Sequence, residues 1–180
     1  MYTYHYDSPL GGITLAGNGM QLTGLWFDGQ KYFGTTLTEA HEEKCLPVFE
    51  QTMYWLDIYF SGKAPDFTPP LEVEATPFRK AVWKILLTIP FGSTMTYGQI
   101  ADKLAAKAGK QKMSAQAVGG AVGRNPISII IPCHRVVGAN GSLTGYAGGM
   151  DKKIRLLELE KVDMSSLFVP KKGTAQGAYR

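Results

Sequence analysis

Pro132-Cys133-His134-Arg135-Val136 is the stretch on which the reading of this chain turns. A thiolate, not a thiol, is the nucleophile, and a free thiol with pKa about 8.5 is only a few per cent ionised at neutral pH. His134 directly after Cys133 offers a proton acceptor, and Arg135 offers a positive charge. Adjacent residues on an extended strand point to opposite faces, so contact among the three requires a turn. Pro132 is placed to supply it, ending the apolar run Ile127–Ile131, which reads as a strand. A buried structural cysteine beside a surface His and Arg has the same local pattern.

The flanks narrow the choice. Upstream, Gly119, Gly120 and Gly123 fall in or at the end of a helical stretch, where each glycine costs about 1 kcal/mol relative to alanine. That cost is tolerable where another backbone, such as a DNA strand, approaches closely; tight helix packing would also explain it. Arg124-Asn125-Pro126 then turns the chain toward the cysteine. Downstream, Gly145-Tyr146-Ala147-Gly148-Gly149 is a flexible loop whose aromatic could wall a pocket.

Around this core the second half reads as short helices. Thr76 caps a helix with Pro77 at its first position, and Phe78, Ala81, Val82, Ile85, Leu86 and Ile89 form its apolar face before Pro90-Phe91-Gly92 stops it. Thr96 caps the next, with Tyr97, Ile100, Ala101 and Leu104 inward, and Ser114 caps a third from about Ala115 to Gly123. Two short helices joined by a loop meet the requirement of a helix-turn-helix, although by periodicity alone any small helical domain fits as well. A last helix is expected from Asp151, as its cap, to about Glu160, and a frayed tail from Pro170.

The first half reads differently. Tyr2–Tyr6, Ile13–Ala16 and Leu22–Phe27 look like strands, with Gly17-Asn18-Gly19 favouring a hairpin. Apolar residues at 46, 49, 53, 56 and 60 have helical spacing, and Ser61–Pro70 is a linker. Residues 1–75 carry three Lys/Arg against ten Asp/Glu, and residues 76–180 sixteen against five, giving −7 and +11 for the stated net +4. A basic half joined to an acidic half suggests a polyanion partner for the second half alone. With 44% hydrophobic residues, no apolar run of about 18 and no secretory pattern at Met1–Tyr6, a folded cytoplasmic protein is expected. Cys45 and Cys133 are then free thiols.

The motif with Gly123-Arg124-Asn125-Pro126 before it and Gly145-Tyr146-Ala147-Gly148-Gly149 after it resembles the methylated-DNA–protein-cysteine methyltransferases, or O6-alkylguanine-DNA alkyltransferases. The likeness runs from Thr76-Pro77-Phe78 to Glu160 and, more weakly, to Ser8-Pro9-Leu10-Gly11. It implies an α/β fold: a ribonuclease-H-like domain over 1–75, with a three-stranded sheet and helices, and a winged-helix-like helix-turn-helix domain over 76–169, followed by a tail over 170–180. It implies one-shot transfer of a methyl or larger alkyl group from O6 of guanine, with O4 of thymine as a second substrate, to Cys133. His134 would act on the thiol through a water, Glu160 would orient the imidazole, and Asn125 would shape the turn. Tyr97 would contact a phosphate, Tyr146 and Ala147 would wall the pocket, and Gln116, Arg124 and Arg135 would contact DNA. Tyr97 also lies on an apolar face, so core packing is a second role open to it. No cofactor and no metal is implied; His5, His41 and Cys45 lack metal-ligand spacing. The partner would be double-stranded DNA entered through the minor groove by a monomer, with no membrane.

One departure stands out. Where the family has an arginine that fills the stack left by the extruded base, this chain has Gln116, neutral and without a planar guanidinium. Two rival functions remain: a non-catalytic damage-binding module, against which Cys133 itself argues, and a sequence-specific regulator. The small, nearly uncharged residues 114–122 offer the latter few base-reading side chains.

Overall fold

The computed structural model describes residues 1–171. By its contacts the chain divides into two units, Met1–Glu74 with Pro126–Ile130, and Ala75–Asn125 with Ile131–Arg180. Of the expected tail, all beyond Lys171 lies outside the described residues.

In the first unit β1 (Tyr2–Ser8), β2 (Gly11–Gly17) and β3 (Leu22–Phe27) form an antiparallel meander. Gly11 at φ 114° makes the first turn, a conformation L side chains rarely adopt. The Asn18 side-chain oxygen accepts from Met20 N and Gln21 N to shape the second. All of β3 is buried, whereas β1 alternates only in part, so the sheet order β3-β2-β1-β4 puts the most apolar strand at one edge. The expected three strands gain a fourth, β4 (Glu42–Glu43), two residues paired in parallel with β1. The expected helices are one, α1 (Pro47–Phe60), among the described residues of this unit. Its inward residues Val48, Phe49, Trp55, Leu56 and Tyr59 are buried, each such side chain contributing about 1.5–3 kcal/mol.

The run Ile127–Ile131 is not a strand. Ile127 makes one isolated parallel bridge to Leu25, with Leu25 N donating to Pro126 O and Ser128 N to Leu25 O. The chain then folds at once: Ile130 N donates to Ser128 O around Ile129, at φ 69°. Short apolar runs report burial, not backbone geometry, and this one is buried as coil.

The second unit is built from α2 (Pro77–Leu86), α3 (Tyr97–Lys107), α4 (Ala115–Gly123) and α5 (Met150–Leu159). The caps read from the sequence are present at three of them. Thr76 and Ser114 accept from the backbone N–H three residues on, and Thr96 with Gln99 forms a complete capping box. Trp83 of α2 donates its indole N–H to Ala121 O of α4 at 2.9 Å, locking those helices together. α5 differs from expectation: Gly149, at φ 98°, occupies the cap position and Asp151 lies in the first turn. The helix begins early because Lys153 N already reaches Gly149 O, and the Asp151 carboxylate still faces the positive end of the helix. A two-residue parallel pair, β5 (Met95–Thr96) with β6 (Val136–Val137), ties the start of α3 to the end of the cysteine motif.

Candidate active site

Pro132 sits at φ −82°, ψ 66°, and Cys133 N donates to Ile131 O at 2.8 Å. These are the marks of an inverse γ-turn. It delivers the chain into one 3-10 turn, Cys133–Arg135, so the three motif side chains are no longer splayed as on a strand. Cys133 is buried, with 6% of its surface exposed. Burial pushes its thiol up; a hydrogen bond from Asn125, the charge of Lys153 and the local backbone N–H groups pull it back without cancelling the burial. The resting group is therefore a protonated thiol, and ionising it requires a base. Asn125, itself buried after α4, also donates Nδ2 to Ile131 O at 2.7 Å, so it grips both the thiol and the turn that carries it.

A candidate base is adjacent in sequence. His134 is fully buried and its Nε2 lies 2.5 Å from Glu160 Oε2. Burial lowers the imidazole, opposed by the hydrogen bond and charge of Glu160. A neutral ring whose Nε2–H is given to Glu160 has Nδ1 as its basic atom. Burial alone would raise the Glu160 carboxyl, but His134 and Arg135 outweigh it and hold it at about 2. Arg135 adds to the effect of His134 in that direction: its Nε donates to Oε1 at 2.8 Å and its Nη2 to Oε2 at 3.2 Å. The remaining Nη1 donates to Ile89 O at 2.7 Å.

That geometry corrects the sequence reading of Arg135. It was expected on DNA, but it is buried with Nε, Nη1 and Nη2 all engaged inside the unit. It cannot reach a phosphate without abandoning Glu160. Tyr97 is also buried, its hydroxyl donating to Thr144 O at 3.3 Å, the packing role weighed for it. Tyr146 and Ala147 are half-buried, and the Tyr146 ring stands edge-on to His134 with centroids 6.5 Å apart. Gln116 is exposed on the first turn of α4 and Arg124 is exposed at its end. A Cβ added at Gly120 or Gly123 would meet no atom of the described residues within 4 Å. Packing among the described residues therefore does not explain those two glycines.

Lys153 escaped the sequence reading. It is fully buried, and its ammonium donates to Val136 O at 2.7 Å, Thr144 O at 3.1 Å and Gly145 O at 3.5 Å. Desolvation lowers it to about 8, partly offset by Cys133. In Asp151-Lys152-Lys153 it looks like a solvated charge. Its helical spacing from Leu156, Leu157 and Glu160 was the available signal, since Lys153, Leu156 and Leu157 lie on the inward face of α5 and Glu160 is buried at its C-terminal cap. Among the described residues no group of three or more His, Cys, Asp or Glu could hold a metal ion.

Two family profiles cover nearly all of the described chain. Residues 1–73 match the 6-O-methylguanine DNA methyltransferase ribonuclease-like domain, and residues 77–162 match the DNA-binding domain of the same name. A methylated-DNA–protein-cysteine methyltransferase of Mycobacterium tuberculosis is 46% identical over 160 residues, 87% of this chain and 92% of that one. The protein of that name from Haemophilus influenzae is 40% identical over 162 residues, 89% and 86%. Among solved structures, Mycobacterium tuberculosis OGT in complex with DNA aligns with TM-score 0.77 at 44% identity, covering 89% of this chain and 93% of that one. An O6-methylguanine DNA methyltransferase from Methanococcus jannaschii aligns at 0.59 and 32% identity, covering 93% and 98%.

Proposed function

This chain belongs to the 6-O-methylguanine DNA methyltransferase family, and from that premise we propose that Cys133 is the atom-for-atom acceptor in direct repair of alkylated guanine in DNA. The protein is a methylated-DNA–protein-cysteine S-methyltransferase. The observation that carries the site assignment is the buried set Cys133, His134 and Glu160, with Glu160 kept ionised by His134 and Arg135. His134 Nδ1 takes the thiol proton, directly or by way of one water, and Glu160 stabilises the imidazolium that results. The Cys133 sulfur attacks the alkyl carbon; the carbon–O6 bond breaks and its electron pair leaves with guanine, which takes up the proton. Asn125 and Lys153 favour the transient thiolate. The thioether does not hydrolyse, so each molecule acts once and needs no cofactor.

O6 lies inside the duplex, so the nucleotide must be extruded, at a cost of a few kcal/mol. The exposed Ala117, Gly120 and Gly123 side of α4 suits close approach to the minor groove, where readout is nearly sequence-blind. Gln116 fills the vacated stack, Arg124 and the lysines around α3 neutralise phosphates, and Tyr146 with Ala147 walls the base. A monomer over domains 1–75 and 76–169 carries this out in the cytoplasm, where free Cys45 and Cys133 persist. No helix among the described residues is long and apolar enough to cross a membrane. Intact-protein mass spectrometry after mixing with an O6-methylguanine oligonucleotide should register one added methyl, mapped to Cys133, with no turnover. Repeated turnover or a methyl on Cys45 would overturn the assignment.

A further inference from the structure

We infer that Gly92, in the turn between α2 and β5, is a positioning residue for the transfer reaction, acting through Glu160; this rests on the functional reading above. Gly92 N–H donates to Glu160 Oε1 at 3.0 Å, although 68 residues separate the two. The same oxygen accepts from Arg135 Nε, and Oε2 takes His134 Nε2 and Arg135 Nη2. The carboxylate is thus held by four donors, so it has one orientation, and His134 is held through it.

Any residue other than glycine is strained at this position. Gly92 is at φ 83°, a region L side chains rarely adopt, and a Cβ there would lie 3.1 Å from the Glu160 carbonyl oxygen. Another residue would have to push the Glu160 backbone away or twist the N–H off the carboxylate. Arg135 belongs to the same support: it donates to Ile89 O, at the start of that turn, and lies over the Phe91 ring with 5.9 Å to the centroid. The Pro90-Phe91-Gly92 segment, which in sequence is a helix stop, is thereby the back wall of the carboxylate. A displacement of a few tenths of an ångström at Glu160 is passed to the imidazole that must meet the thiol, and misplacement by about 1 Å can cost a hundredfold in rate.

The test is a double-mutant cycle on the full chain, Gly92→Ala alone and in a Glu160→Gln background, followed by methyl transfer from an O6-methylguanine duplex. Gly92→Asn runs beside it, because Asn tolerates positive φ better than Ala while still carrying a Cβ. The expected result is a loss of roughly tenfold in the wild-type background and no further loss once Glu160 is Gln. The pH at which Cys133 reacts with methyl iodide should rise in Gly92→Ala, as in Glu160→Gln. Equal losses in both backgrounds, an unchanged rate, or an unmoved pH curve would each overturn the proposal. Methyl iodide needs no DNA site. A wild-type chain that took no methyl from the duplex would therefore sink the functional reading, while the pH curve would still decide on Gly92.

Discussion

Cys45 and Cys133 are the same side chain in opposite settings. Cys45 is exposed, and the group its thiol reaches is a carboxylate, Glu50 Oε1 at 3.9 Å. That neighbour brings neither a positive charge nor an uncharged base. Cys133 is buried and hard to ionise, yet the Asn125 amide and the Lys153 ammonium both favour its thiolate, and His134 follows it in the same 3-10 turn. The difference teaches that accessibility and reactivity are separate properties. A bulky thiol reagent should find Cys45, while an extruded base should find Cys133, because the latter supplies its own entry and meets a base in waiting.

The largest effect should come from exchanging the two roles. Cys133→Ser should abolish methyl transfer and leave DNA affinity intact, whereas Cys45→Ser should change neither. Maleimide labelling read by mass spectrometry should run the other way, modifying Cys45 first. Fast labelling of Cys133 in the folded protein would break the comparison.

Next in size are the groups that only Cys133 possesses. General-base catalysis contributes roughly a hundredfold to ten-thousandfold, so His134→Ala and Glu160→Gln should slow transfer by about a hundred or more. DNA affinity, measured in parallel, should hold and should fall with salt in every form through counterion release. A pH–reactivity curve unmoved in both mutants would mean that something else activates the thiol.

The buried site also carries an acid liability that the exposed cysteine lacks. Glu160 is held at about 2 in the fold against the ordinary carboxyl value of 4.5. A depressed carboxyl contributes stability that is present above about pH 4.5 and is lost as pH falls toward 2. The full span is on the order of 3 kcal/mol. Urea midpoints of wild type and Glu160→Gln should therefore draw together between pH 5 and about 2.5. A constant gap would show that the ion pair adds nothing to the fold.

The smallest effect concerns entry to the site. Base stacking is worth about 1–3 kcal/mol, so Gln116→Arg should speed duplex transfer by about tenfold and Gln116→Ala should slow it. Reaction with free O6-benzylguanine, which needs no extrusion, should barely move. Equal duplex-to-free-base ratios in all three proteins would remove residue 116 from flipping.

Much of the second unit was legible in advance. Thr76, Thr96 and Ser114 each cap the helix they precede, because a cap is a contact across three residues and local sequence encodes it. The turn at Pro132 was legible for the same reason. The strand expected at Ile127–Ile131 failed because hydrophobicity marks burial without choosing a backbone, and Asp151 missed the cap of α5 by two positions because Gly149 turns the chain first. The family resemblance put Arg135 on DNA, and nothing local announced that a carboxylate 25 residues away claims it.

The residues by themselves pointed to Cys133 with a candidate base beside it, and determined three of the helix starts and the order of the short helices. Each of these rests on interactions within a turn or on side-chain chemistry that position cannot change. Tertiary structure alone decided which way Arg135 faces, that Lys153 is buried against Val136 and Thr144, and that the Gly92 amide meets Glu160. Pro126–Ile130 likewise left its sequence neighbours to pair with Leu25. These contacts join residues brought together only when the helices and sheet pack, and no local pattern of hydrophobicity or charge records which distant partner a buried donor will find.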